Sequence, residues 1–184
     1  MKARTLMMLS SLLLFAGLSG CTSSPTVDID HDPAANFTAY RTYAWAKKPE
    51  GGSPLGMQRV VAGIDSRLQA KGWSMASPDT ADIALIANVA TQQQQDIDTM
   101  YSGMGPGWGY GWGWGGGMAT TTVRNYTVGT LILDMFDAKT KQGVWRGTAS
   151  GTVSDSSQTN QEQLNKALDK MFVGFPPGSA PPAN

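Results

Sequence analysis

Residues 129–151 read GTLILDMFDAKTKQGVWRGTASG, and the fold follows from this stretch. Thr130 to Phe136 sets Leu131, Leu133 and Met135 against Ile132, Asp134 and Phe136, the period-two pattern of a strand. Asp137 to Gly143 is a polar loop ending in glycine, and Val144 to Val153 resumes β-compatible residues. The two runs predict a hairpin with a connection longer than the commonest ones. Within it, Asp134 is expected to face solvent or a cross-strand partner such as Arg146, and Asp137 to open the loop. Trp145, like Trp45 further upstream, is assigned to packing.

Working outward, Thr120 to Val128 predicts a strand running into the hairpin. Asp82 to Val89 is the most apolar run outside the N-terminus and predicts a strand covered on both faces. Trp73 to Ser77, Arg41 to Trp45 and Val27 to Asp32 predict three shorter strands; the last alternates apolar with acidic residues, as a strand with one wet face does. Met57, Val60, Val61, Ile64 and Leu68 fall at helical spacing, and Lys71-Gly72 supplies the cation and glycine of a helix end. Burying such side chains stabilises by ~1.5–3 kcal/mol each, so this stripe is expected to be core and not a partner-binding face. Beyond the hairpin, Thr159 and Glu162 have the form of a capping box. Leu164, Leu168, Met171, Phe172 and Phe175 make the apolar face of a second helix stopped by Pro176-Pro177, and 178–184 reads as a disordered tail. The expected fold is α+β: a two-layer sandwich with a mostly antiparallel sheet of about six strands and two helices packed on it.

The N-terminus has its own logic. Lys2 and Arg4 precede an apolar run from Leu6 to Leu18, too short for a spanning helix, and Leu18-Ser19-Gly20-Cys21 follows. This is a signal peptide over 1–20 with a small-residue cleavage site, and LSGC resembles a bacterial lipobox. The motif implies cleavage before Cys21, with acyl chains on its sulfur and its new amino group. Residues 21–26 are then a lipidated cysteine and a short tether. Thr22 stands where an aspartate would resemble an inner-membrane retention signal, so the expected destination is the periplasmic face of the outer membrane, ahead of the inner membrane. Removing the signal leaves twelve basic against fourteen acidic residues, a formal charge of −2. That balance argues against nucleic acid as a partner. Cys21 is the chain's single cysteine, so no disulfide is expected.

Gln92 to Asp98 is polar and is read as the start of a long excursion, whose Gly/Trp-rich loop spans 101–118. There Trp108, Tyr110, Trp112 and Trp114 alternate with glycine, placing large rings on permissive backbone. The run has neither the Lys-Ser/Thr nor the G-x-G-x-x-G spacing of a phosphate-binding loop. Three readings follow: a contact with a membrane interface, which favours Trp and Tyr; adaptable anchors for an envelope protein, glycan or lipid surface; or a low-complexity insertion folding back over the sheet.

No catalytic constellation emerges. His31, the lone histidine, is expected to be a solvated turn residue. Gly147-Thr148-Ala149-Ser150-Gly151 places its serine one position late for a nucleophile elbow. Asp28, Asp30 and Asp32 have the spacing of a calcium loop, but Pro33 and Ala39 occupy the positions that need glycine and glutamate. The chain is therefore expected to be no enzyme, with no metal and no cofactor.

Several of these pieces recur in a fixed order: Asp32 through Trp45 (DPAANFTAYRTYAW), the helix ending Lys71-Gly72-Trp73, Ala81-Asp82-Ile83, Gly129-Thr130-Leu131 to Asp137, Val144-Trp145-Arg146-Gly147, and Met171-Phe172 to Pro177. Together they resemble the bacterial lipoproteins grouped as domain of unknown function 4136 (DUF4136), over a single domain from 27 to 177. The resemblance implies an α+β domain in an envelope lipoprotein with no established activity. The expectation is a non-catalytic interaction or envelope-maintenance module, held to the membrane by Cys21. The alternative is a carrier for a lipid or other hydrophobic ligand.

Overall fold

The computed structural model describes residues 24–101 and 119–178, apart from the side chains of 97–101 and 119–121. Cys21, the expected signal peptide, residues 102–118 and nearly all of the C-terminal tail lie outside the described residues.

Six strands and two helices follow one another as β1 (Thr26–His31), β2 (Thr42–Lys47), α1 (Pro54–Ala70), β3 (Ser74–Met75), β4 (Ile83–Tyr101), β5 (Ala119–Asp137), β6 (Gly143–Val153) and α2 (Ser157–Met171). The strands form one sheet in the order β1-β6-β5-β4-β2-β3. Pairing is antiparallel from β1 through β4, whereas β2 runs parallel to both β4 and β3. The fold is α+β, as expected.

Both helices cover one face. Directly opposed residues share a face, and the ladder aligns Tyr43 with Ile83, Leu85 with Met135 and Trp145, and Val89 with Leu131 and Ala149. Against this row α1 buries Val60, Ile64 and Leu68, and α2 buries Ala167, Leu168 and Met171. The helices meet where Gly63 leaves room for Leu168, whose Cδ1 lies 2.6 Å from where a Cβ on Gly63 would stand. Arg67 ties the crossing with a 2.8 Å ion pair to Asp169.

Besides the end of α2, which stops at Met171 with Phe172 as its cap so that Phe175 lies beyond the helix and not on its face, four expectations need correction. Strand β4 is covered on one face only: Ile83, Leu85 and Ala87 are fully buried, while Ala84 and Ile86 are half-exposed, because no described element lies over the other side. The apolar run reflects small and branched residues tolerated on an open face. Second, Gln92 to Asp98 is not loop but strand, paired residue for residue with 122–128. Third, the cap of α2 is Ser156, whose hydroxyl accepts from Thr159 N; Thr159 sits inside the first turn and donates there instead of capping. Fourth, His31 ends β1 instead of lying in a turn, edge-on to Phe37 at 6.4 Å between ring centroids.

Candidate functional site

The space between helices and sheet is filled unequally along its length. At the end nearest the β5–β6 loop it is closed by aromatic rings. Trp145 stacks on Phe172 at 5.9 Å, and Phe175 packs edge-on against Trp145, Phe172, Trp73 and Phe37. Gly147 makes the stacking possible: a Cβ there would stand 2.5 Å from the Trp145 ring and 2.7 Å from Met171.

At the opposite end the lining residues are small, and an apolar groove of about 290 Å³ remains. Its floor is the helix-facing side of β4, β5 and β6 at Val89, Leu131 and Ala149; its walls are Met57 and Val60 of α1 and Leu164 of α2. It reaches the surface at Arg59, Thr152 and Val153, which are exposed. The amphipathic stripe of α1 therefore divides. Ile64 and Leu68 are fully buried core, as expected, whereas Met57 and Val60 line an open groove.

Nine of the residues that line the groove are polar, and two of these stand out. Arg59 is its only charged residue and makes no hydrogen bond or ion pair with any described residue. Gln163 has a buried side-chain oxygen with no hydrogen-bond partner among the described residues. Sequence reasoning missed both, since each looks like an ordinary polar residue on an exposed helix face.

The groove opens at the end of the sheet where two further features leave it. Strand β1 is antiparallel to β6, with Thr26 opposite Ser150, so the chain preceding Thr26 heads the way β6 ends. Pro25 is buried beside Gly151 and lines the groove. Lys170 Nζ donates to Ser24 Oγ at 2.8 Å and to the Pro25 carbonyl at 2.9 Å. The expected tether is thus partly docked, leaving only residues 22 and 23 between Cys21 and the first described residue. Extended, that link spans at most ~11 Å.

Strands β4 and β5 leave in the same direction. Strand β6 ends opposite Thr127, and the β4–β5 ladder continues from Gln94↔Tyr126 to Tyr101↔Ala119. At ~3.4 Å per residue this two-stranded arm extends about 27 Å past the sheet. Its described side chains are mostly exposed on both faces, and Tyr126 donates across the ladder to Gln94 Oε1 at 2.9 Å. Trp108, Tyr110, Trp112 and Trp114 belong to the segment joining the arm's ends and, like Cys21, lie outside the described residues.

The other sequence candidates have structural employment. Asp134 gives both carboxylate oxygens to Arg146, at 2.5 Å from Nε and 3.0 Å from Nη2, the cross-strand partnership expected of the pair. Asp137 opens the hairpin loop by accepting from the Lys139 and Thr140 amides. Ser150 shares a hydrogen bond with Thr130 inside the sheet. Asp28 and Asp30 sit on β1, while Asp32 turns the chain by accepting from Ala34 N. Trp45 is partly buried, and its Nε1 donates to Asp65 of α1 at 2.9 Å, with the Tyr43 hydroxyl on the same oxygen at 3.1 Å.

The model of the family described as domain of unknown function DUF4136 matches residues 27–177. No curated protein matches the chain. Among solved structures, a PDZ domain protein from Parabacteroides distasonis is 10% identical with a TM-score of 0.50, over 86% of this chain and 37% of that one. The PelC dodecamer from Paraburkholderia phytofirmans is 16% identical with a TM-score of 0.48, over 80% and 94%. Lipoprotein GNA1162 from Neisseria meningitidis is 13% identical with a TM-score of 0.39, over 72% and 97%. At 10% identity and a TM-score of 0.50, the first of these is a likeness of fold alone.

Proposed function

Since this chain belongs to the DUF4136 family, whose description assigns no activity, we propose from its own geometry that it is a lipid-anchored, periplasm-facing envelope module. In this reading the outer membrane holds it through acylated Cys21, and it works by contact, not catalysis. The observation that carries the proposal is the shared exit of tether and arm. The link to Cys21 spans at most ~11 Å, and the arm extends about 27 Å in the same direction. An anchor so short draws that end of the sheet to the membrane, and the arm, longer than the link, brings the Gly/Trp run of 102–118 against it by lying inclined to the membrane normal. Trp108, Tyr110, Trp112 and Trp114 then serve as interfacial anchors, a position that amphipathic aromatic rings favour.

Two experiments test this. Cys21→Ser is expected to abolish membrane fractionation, and unchanged fractionation would sink the anchor. The chain 22–184, freed of the anchor, is expected to float with outer-membrane-like liposomes and to stop floating when Trp108, Trp112 and Trp114 are all alanine. If the wild-type chain stays at the bottom of the gradient, the arm is no membrane contact.

A second reading, favoured by the groove, is that the domain binds a hydrophobic ligand. A close-packed interior would have opposed it, and the interior stays open at the arm end.

A further inference from the structure

We infer that the groove at the arm end of the sheet binds one long-chain fatty acid, its alkyl chain along Val89, Leu131 and Leu164 and its carboxylate at Arg59. The inference rests on the second reading above and gives its ligand a chemical class.

Three observations select this occupant. The cavity, about 290 Å³, sits at the lower edge of the ~300–1,000 Å³ typical of small-molecule sites. That size suits one alkyl chain and excludes a two-chain lipid. The surface it exposes is mostly apolar, from both helices and three strands, although Thr91, Thr130, Ser150 and Asn160 also line it.

The polar groups of the lining are neutral but for one, and that charge is positive. Arg59 is the wall's only ionised residue, with no carboxylate lining the groove to neutralise it. Gln163 adds an amide whose buried oxygen lacks a partner; turned over, the same amide offers its N–H groups. An anionic head is the complement of this set, and a guanidinium pairs with a carboxylate through two parallel N–H···O bonds. Acylated Cys21 carries no anion, so the chain's own anchor would leave Arg59 unanswered.

The groove also opens toward the anchored end. Pro25, four residues from Cys21, forms part of its wall. Beyond the arm, a single-chain amphiphile leaving the bilayer surface would meet the groove mouth first.

The test uses the chain 22–184, which keeps every strand and helix and the whole core, with the fluorescent fatty acid cis-parinaric acid as probe and palmitate or hexadecanol as competitor. The wild type is expected to bind the probe, and palmitate to displace it better than hexadecanol. Arg59→Gln weakens palmitate about tenfold, the loss of a charge-assisted pair, and leaves hexadecanol unchanged. Gly56→Leu fills the groove from α1, where a Cβ meets only Ser53 at ordinary contact distance, and Val89→Trp fills it from β4. Each is expected to lose both competitors at an unchanged unfolding midpoint.

Failure of the wild type to bind, or equal palmitate affinity in Arg59→Gln, would overturn the inference. So would exclusion of the probe by the full lipidated protein but not by 22–184, which would make the anchor's own acyl chain the occupant. Fractionation and flotation do not involve the groove, so they can succeed while this inference fails.

Discussion

Lys170, on the last turn of α2, donates from Nζ to the Pro25 carbonyl at 2.9 Å and so fastens the start of β1 to the helical layer. Strand β1 is an edge strand with six paired residues and little else buried. Lys170→Ala is expected to speed amide exchange across Thr26 to His31 while lowering global stability by less than about 1 kcal/mol, because the bond is partly solvated. Unchanged exchange would show that the β6 ladder alone holds the strand.

Asp82 is a second fastening, at the other side of the sheet. Its Oδ2 accepts from the amides of Arg41 and Thr42 and from the Thr42 hydroxyl, all within 3.0 Å, fixing where parallel β2 joins β4. The Arg41 amide is the main cause holding this carboxyl below the usual carboxylate range, with Thr42 adding to it. A depressed folded value stabilises above the unfolded pKa, near 4, and the contribution is lost as pH falls through the folded value. Asp82→Asn is therefore expected to flatten the acid limb of the stability curve below pH ~4, and Asp82→Ala to cost about 1–3 kcal/mol at neutral pH, read by urea denaturation.

Tyr43 sets the alkaline limb. Burial, with the Asp65 carboxylate beside its hydroxyl, pushes its phenol up to about 12. The neutral phenol is thus favoured by folding. Its contribution is complete below pH ~10 and lost as pH rises through the folded value, because the unfolded chain releases the proton first. The unfolding midpoint should fall more steeply between pH 10 and 12 in the wild type than in Tyr43→Phe. Parallel curves would contradict the assignment.

Gly147 carries the closed end. Trp145 and Met171 occupy the volume a Cβ would need, and overpacking a fitted core costs roughly 1–3 kcal/mol. Gly147→Ala is expected to lose about that much and to change the near-ultraviolet circular dichroism of the Trp145–Phe172 stack. Wild-type stability would mean that Met171 swings aside freely.

How much was legible in the chain depended on whether a residue's signal was periodic. The hairpin, the Asp134–Arg146 pair and both helices follow from alternation or helical spacing, though α2 ends at Met171, short of the stop expected at Pro176-Pro177. The arm was missed because Gln92 to Gln95 are exposed on both faces. Such a ribbon is held by ladder hydrogen bonds and has no apolar side to write into the sequence. The cap at Ser156 was displaced by three residues because Thr159 and Glu162 imitate a capping box inside the first turn. The groove was illegible for another reason. It is an absence of volume, made by Gly56, Gly129, Ala149 and Gly151 from separate elements meeting in space, and its one charge, Arg59, has the sequence appearance of any solvated helix arginine.

The most direct test of the account places a photo-crosslinking residue in the lipidated protein, in intact envelopes, at Trp112 or at Thr140. Thr140 is exposed in the β5–β6 loop, at the opposite end of the sheet from tether and arm. The shared exit of tether and arm predicts lipid adducts from position 112 and none from position 140. Lipid adducts from 140, or equal yields from both, would contradict it.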